Sequence, residues 1–130
     1  MNAMRISSNR ITDLLPNEIF VFGSNIAGYH CRGAAGLALE KFGAIWGQGV
    51  GLQGQCYAIP TMYKDVLAIQ PFVDEFLIFA RNHPELTFLV TEIGCGIAGF
   101  KPCDIAPLFY SAIERNISNI FLPISFYSCY

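Results

Sequence analysis

The chain has 130 residues, the span of one domain, and a formal net charge of −2. Apolar residues make up 53% and charged residues 14%, against about 25% charged in an ordinary soluble domain, so either a large pocket or a subunit interface is expected to absorb apolar surface. Without any Lys/Arg cluster, a phosphate-neutralising nucleic-acid surface is excluded, and no apolar run approaches the ~20 residues of a membrane span.

The N-terminal stretch from Met1 to Pro16 mixes Arg5, Arg10 and Asp13 with serines and has no apolar core. It reads as no signal peptide and leaves room for one extra strand. Glu18 to Gly23 is a continuous apolar run, the pattern of a strand covered on both faces. Gly33 to Phe42 is rich in alanine and leucine and reads as a helix stopped at Gly43. Gly43 to Gly54 holds five glycines around Trp46 and reads as a mobile surface loop, with a flap over a ligand as the alternative. Gln55 to Pro60 is a shorter strand.

Ala68 to Asn82 spaces Ile69, Phe72, Val73, Phe76, Leu77 and Ala80 on one helical face, with Pro71 in the first turn where proline is tolerated. Thr87 to Gly94 is the strongest strand. Asp104 to Arg115 follows Pro102 and reads as a helix, with Asp104 as N-cap or at least a favourable charge at its start. Asn119 to Ile124 closes the series as a strand. Strands alternating with helices predict a single α/β domain over residues 1–130, three-layered (α/β/α), with a mainly parallel central sheet. The five cysteines, at 31, 56, 95, 103 and 129, are odd in number and show no CxxC spacing. They signal neither a disulfide framework nor zinc, and reduced thiols in a cytoplasmic protein are expected.

Ligands in such sheets bind beyond the C-terminal strand ends, so the loops there carry the functional signal. The first loop runs from Gly23, Ser24 and Asn25 to the helix entry at Gly33, Ala34 and Ala35. Small residues at a helix N-terminus let a phosphate reach the backbone N–H groups, and Ser24 and Asn25 add side-chain donors. The same residues also suit a helix packed close to the sheet. The second loop, Gly94-Cys95-Gly96-Ile97-Ala98-Gly99-Phe100, formally contains GxGxxG. A dinucleotide fingerprint needs a βαβ unit and an acidic strand end about 20 residues on, and Glu114 at that distance falls in a helix. A Rossmann NAD site is therefore disfavoured, which leaves a loop of N–H groups able to wrap an anion, or glycines serving a tight turn.

Cys95 lies where a nucleophile would sit, but its only partner histidines are His30 and His83, neither adjacent in sequence, and a buried structural thiol is the plainer reading. His83 reads as a surface residue favourable to a helix C-terminus. Glu92 is a candidate acid or base, or a member of a structural hydrogen-bonded pair. No metal or P-loop pattern stands out, and no cofactor is expected.

With these loops in place the sequence resembles a family. The FGSN strand end (Phe22 to Asn25), the helix entry at Gly33-Ala34-Ala35, the YAIPT segment (Tyr57 to Thr61) and the IGCGIAGF loop (Ile93 to Phe100) look, in this order, like the macrodomains, most nearly a compact bacterial and phage branch. The resemblance covers roughly residues 18 to 126 in layout, and its specific part is the two loops. It implies binding of ADP-ribose or a related nucleotide, with hydrolysis in some members. Asn25 would then lie near the distal ribose, Gly33 to Ala35 would form the first phosphate loop, and Gly94 to Phe100 would enclose the diphosphate. The chain departs from the family at Phe22, where the first motif usually begins with asparagine, and in lacking a run of three glycines. The family's adenine-reading aspartate precedes the first strand, where Asp13 is in approximate register. The expected partner is thus a small nucleotide ligand, neither nucleic acid nor membrane. An oligomeric interaction protein, or a Cys95-dependent hydrolase of a non-nucleotide substrate, is the alternative.

Overall fold

The computed structural model describes residues 4–130, in which six strands form one sheet in the order β1-β6-β5-β2-β4-β3. The strands are β1 (Ile6–Ser7), β2 (Glu18–Ser24), β3 (Gly51–Gln53), β4 (Cys56–Pro60), β5 (Thr87–Val90) and β6 (Ile120–Pro123). All pairings are parallel except that of β3 with β4. The helices are α1 (Gly33–Lys41), α2 (Gln70–Arg81), α3 (Pro102–Ile105), α4 (Tyr110–Glu114) and α5 (Ile124–Tyr127). The chain is thus mixed α/β with a mostly parallel sheet. Among the described residues no helix is long and apolar enough to cross a membrane.

Successive side chains of a strand point to opposite faces, and β2 buries both. Ile19 and Val21 join Tyr57 and Ile59 of β4 and Phe88 and Val90 of β5 in one core. Phe20 and Phe22 join Cys56 and Ala58 in a second core, against Ala38 and Phe42. Helices therefore cover both faces, unequally. The first face meets α2 through Val73, Phe76 and Leu77 and the α3–α5 region through Ile105, Phe109 and Phe126. The second is packed by α1 and by Ile11 and Leu14 of the N-terminal stretch. In consequence Phe88 and Ile120 are buried, whereas their neighbours Leu89 and Phe121, facing the other way, are only half-buried.

Several elements depart from the sequence expectation. The strand expected over Thr87 to Gly94 ends at Val90, and the chain beyond it turns into the second loop. The helix expected over Asp104 to Arg115 is broken into α3, a 3-10 turn at Ala106–Phe109, and α4. Pro107 sits in the break, where it has no N–H to give to a continuous helix. Asp104 is not the N-cap; Lys101 holds that position, and the Asp104 carboxylate accepts the Lys101 N–H at 2.9 Å. The N-terminal stretch does supply a strand, β1.

Two larger features also differ from the sequence expectation. Cys103 and Cys129, 26 residues apart, form a disulfide with Cα atoms 5.4 Å apart, so the expectation of free thiols throughout holds only for Cys31, Cys56 and Cys95. The fold brings the pair together by laying α5 against α3, a contact that no local spacing encodes. The glycine-rich segment Gly43 to Gly54 is not a loop throughout but carries an edge strand of the sheet. It contains β3 and is held from inside by His30, which is 1% exposed. The imidazole Nε2 lies 2.9 Å from the Gln48 carbonyl and 3.2 Å from Gln53 Oε1, two acceptors, so Nε2 carries the proton. Gln53 in turn accepts from the Ile45 N–H and donates to the Gln48 and Gly51 carbonyls.

This edge also contacts the first loop backbone to backbone. A Cβ on Gly28, whose φ is +76°, would overlap the backbone of Gly47 and Gln48, and one on Gly49 would overlap the Asn25 and Ile26 carbonyls. Only glycine allows such an approach. Changing Gly49 to Ala should therefore lower the unfolding free energy by more than about 2 kcal/mol. Gly96→Ala, where a Cβ meets nothing within 4 Å, should stay within about 0.5 kcal/mol of the parent. Paired urea unfolding curves would check both.

Candidate functional site

The connections leaving β2 and β5 go to opposite faces of the sheet. From β2 the chain enters α1 on the second face and then reaches β4; from β5 it enters α3 on the first face and then reaches β6. Adjacent parallel strands whose crossovers diverge leave a crevice at their C-terminal ends. A cavity of about 740 Å³ lies there, lined by the β2–α1 loop, the loop after β5, and Thr61 and Met62 beyond β4. That size falls within the usual range for small-molecule sites, about 300–1,000 Å³.

Most of the residues singled out in the sequence meet in this cavity. Gly23, Ser24, Asn25, Gly33, Ala34 and Ala35 line it from one loop, and Gly94, Cys95, Gly96, Ile97 and Ala98 from the other. Gly99 and Phe100 do not reach it; the Phe100 ring turns back toward Gly94. Gly23 forms the floor, where a Cβ would come within 3.2 Å of the Gly94 nitrogen and 3.1 Å of Thr61 Oγ1.

The backbone offers the donors. Helix α1 has Arg32 at its N-cap, which gives no side-chain cap, and its first turn holds no acidic residue. The N–H groups of Gly33, Ala34 and Ala35 are consequently left for an external acceptor, with the positive end of the helix behind them. In the second loop, Gly99 donates to Gly96 and Phe100 to Gly94, closing a compact turn. The N–H groups of Gly96, Ile97 and Ala98 meet no acceptor among the described residues. Two sets of N–H groups without an acceptor among the described residues thus belong to residues that line one cavity.

The side chains expected to assist are mostly occupied. Ser24 is buried and its hydroxyl donates to the Gly49 carbonyl at 2.5 Å, so its proton serves the fold. Asn25 is braced on Tyr29, donating to its carbonyl at 3.0 Å and accepting its N–H at 2.9 Å. One amide hydrogen and one lone pair of Asn25 remain for a ligand. Glu92 is exposed, beyond the strand end, and accepts the Ser125 hydroxyl at 2.7 Å, the hydrogen-bonded pair that the sequence left open. Arg32 is the cation on the cavity wall, and its guanidinium has no partner among the described residues. Tyr29 continues the wall, stacked on Trp46 at 5.3 Å between ring centroids. With Met62 and Ile97, these exposed residues place part of the excess apolar surface around the cavity.

A second lobe of about 340 Å³ adjoins the first and shares Gly33, Ala34, Thr91 and Glu92 with it. It opens on the thinly covered face, between α1 and the N-terminal stretch. Ile11, Phe20, Leu37 and Pro123 form apolar walls, and Asn9, Arg10 and Thr12 form a polar edge. Nothing in the sequence marked this lobe, because its walls come from four separate segments. Asp13 does not line it; that carboxylate is turned out to solvent and lies 3.7 Å from the Lys41 ammonium.

The histidines lie elsewhere. His30 is committed to Gln48 and Gln53, and His83 stacks on Phe79 at the end of α2, its Nδ1 bonded to the Phe79 carbonyl at 2.8 Å. No group of three or more His, Cys, Asp or Glu side chains is placed to hold a metal among the described residues. Burial pushes the Cys95 thiol up to about 11, with Glu92 and Asp104 adding to the rise. Cys95 is thus a protonated thiol at neutral pH with both histidines engaged elsewhere, a poor nucleophile. Comparison with protein-family models, with curated proteins and with solved structures finds no match to the chain.

The Cys95 thiolate forms only as the pH climbs toward about 11, so alkylation by iodoacetamide should rise steeply between pH 9 and that value. At pH 7.5, peptide mapping should find Cys31, which is exposed, modified well before Cys95.

Proposed function

We propose that the two-lobed cleft binds a nucleoside diphosphate sugar, ADP-ribose or a close chemical relative, as a macrodomain-like module. The observation that carries this reading is the pairing of two sets of unclaimed backbone N–H groups, Gly33 to Ala35 and Gly96 to Ala98, along one cavity. Backbone donors on two sides suit a diphosphate, which presents oxygens in two directions. The Arg32 guanidinium adds a cation to the same wall. Two adjacent cavities that share Gly33, Ala34, Thr91 and Glu92 suit a ligand with a group at each end of that diphosphate, a sugar in the larger and a base in the smaller. The order of the loop motifs in the sequence supports the same assignment.

The donors described account for binding. A Cys95-dependent hydrolase is disfavoured, since the thiol is held protonated and both histidines are engaged elsewhere. Asn25, with one hydrogen and one lone pair left, would orient the distal sugar.

Calorimetric titration with ADP-ribose tests the reading, with inorganic phosphate as a weak-binding control. Saturable binding is expected, and Gly96→Glu should weaken it at least about tenfold, near 1.4 kcal/mol, by placing a carboxylate against the diphosphate. Gly96→Ala should bind like the parent, because a Cβ at that position meets nothing. A folded protein that ignores ADP-ribose and other nucleoside diphosphate sugars at millimolar concentration would overturn the proposal.

A further inference from the structure

The chemistry of the smaller lobe bears on which base it takes, an inference that rests on the nucleotide reading of the cleft. The walls, Ile11, Phe20, Leu37 and Pro123, are apolar and suit the faces of a planar ring, so selection falls to the polar edge. Arg10 is the charged residue that lines this lobe and not the larger one. Its backbone is fixed by Ser8, whose hydroxyl accepts the Arg10 N–H at 3.1 Å and lies 3.2 Å from the Arg10 carbonyl. Its guanidinium has no hydrogen bond or ion pair among the described residues.

The lobe's other polar groups do not offset this donor bias. Thr12 spends its hydroxyl proton on Asp13 at 3.2 Å and its carbonyl on Lys41 at 2.7 Å. Asp13, the nearest carboxylate in sequence, faces solvent and Lys41. Asn9 is neutral in the choice, since an amide both donates and accepts. Glu92 lies at the junction of the two lobes, where it lines both, and it holds the Ser125 hydroxyl. A carboxylate at that junction meets the sugar between base and diphosphate, whose hydroxyls donate.

An arginine fork carries only donors and matches the paired acceptors O6 and N7 of a 6-oxopurine. Adenine presents an amino group in place of O6, which sets donor against donor. We infer that the smaller lobe selects a 6-oxopurine, guanine or hypoxanthine, over adenine, with Arg10 as the discriminating residue. The ligand class of the cleft is then an oxopurine nucleoside diphosphate sugar, and ADP-ribose is bound through its diphosphate with the base poorly matched.

ADP-ribose and inosine diphosphate ribose differ in the purine C6 group and the N1 proton that follows from it, and so isolate this choice. Titrated into the full chain, inosine diphosphate ribose should bind about tenfold more tightly. Arg10→Ala should remove that preference, weakening inosine diphosphate ribose about tenfold more than it weakens ADP-ribose, and Arg10→Glu should turn the ratio of the two affinities toward ADP-ribose. A melting curve for each variant checks the fold, and Arg10 is exposed, so none should shift. Equal or tighter binding of ADP-ribose by the parent would overturn the base assignment and leave the proposed function standing. A preference that survives in Arg10→Ala would overturn the role of Arg10. Failure of both nucleotides to bind would overturn the nucleotide reading itself, and this inference with it.

Discussion

The structure depends on the burial of β2 on both faces and along both edges. Its backbone is hydrogen-bonded to β4 on one side and β5 on the other, both parallel to it. Its side chains feed two separate cores. A strand enclosed in this way cannot shift register, because a slip of one residue would exchange Ile19 and Val21 for Phe20 and Phe22 across the sheet. The crossovers from β2 to β4 and from β5 to β6 step in opposite directions along the sheet, and right-handed connections then put them on opposite faces, leaving a crevice at the tip of β2. The site is in this sense a consequence of topology before any functional side chain is considered.

That origin explains why the donors bordering the crevice are mainly backbone groups. A helix start without a capping side chain and a turn that closes on itself leave N–H groups pointing outward, at no cost in specialised side chains. The polar side chains nearby hold the loops in shape. Ser24 ties the tip of β2 to Gly49, Asn25 braces Tyr29, and Asp104 reaches back to the start of α3. Their geometry fixes where the free N–H groups lie.

The glycine-rich edge shows the same economy. The His30–Gln53–Gln48 network ties the segment's backbone through His30 Nε2 and the Gln53 amide, while His30 Nδ1 is buried without a partner among the described residues. It also holds Trp46 against Tyr29 beside the larger lobe. The unequal cover of the sheet has the opposite effect. Because α1 is the one helix on its face among the described residues, the sheet beside it is left for the N-terminal stretch to wall, and the smaller lobe lies between them. Arg10 enters the site by that route, from a part of the chain with no strong local pattern.

The α/β class, four of the six strands and the two loops were legible because each rests on a local signal. Continuous apolar runs mark strands buried on both faces, and small residues after a strand mark a close turn into a helix. Local signals also had limits. Pro107 divides a helix that periodicity alone joins, and the strand ending at Val90 stops four residues before its apolar run does. The order of the sheet, the Cys103–Cys129 bond, the arrangement of Gly43 to Gly54 around His30, and the smaller lobe all join residues distant in sequence. No local rule connects such residues, because what unites them is the packing of whole elements on a common sheet. The sequence by itself determined which loops carry small residues and free donors. Only the tertiary structure decided that those donors border one cleft, that Ser24 is spent on the fold, and that Arg10 rather than Asp13 lines the smaller lobe.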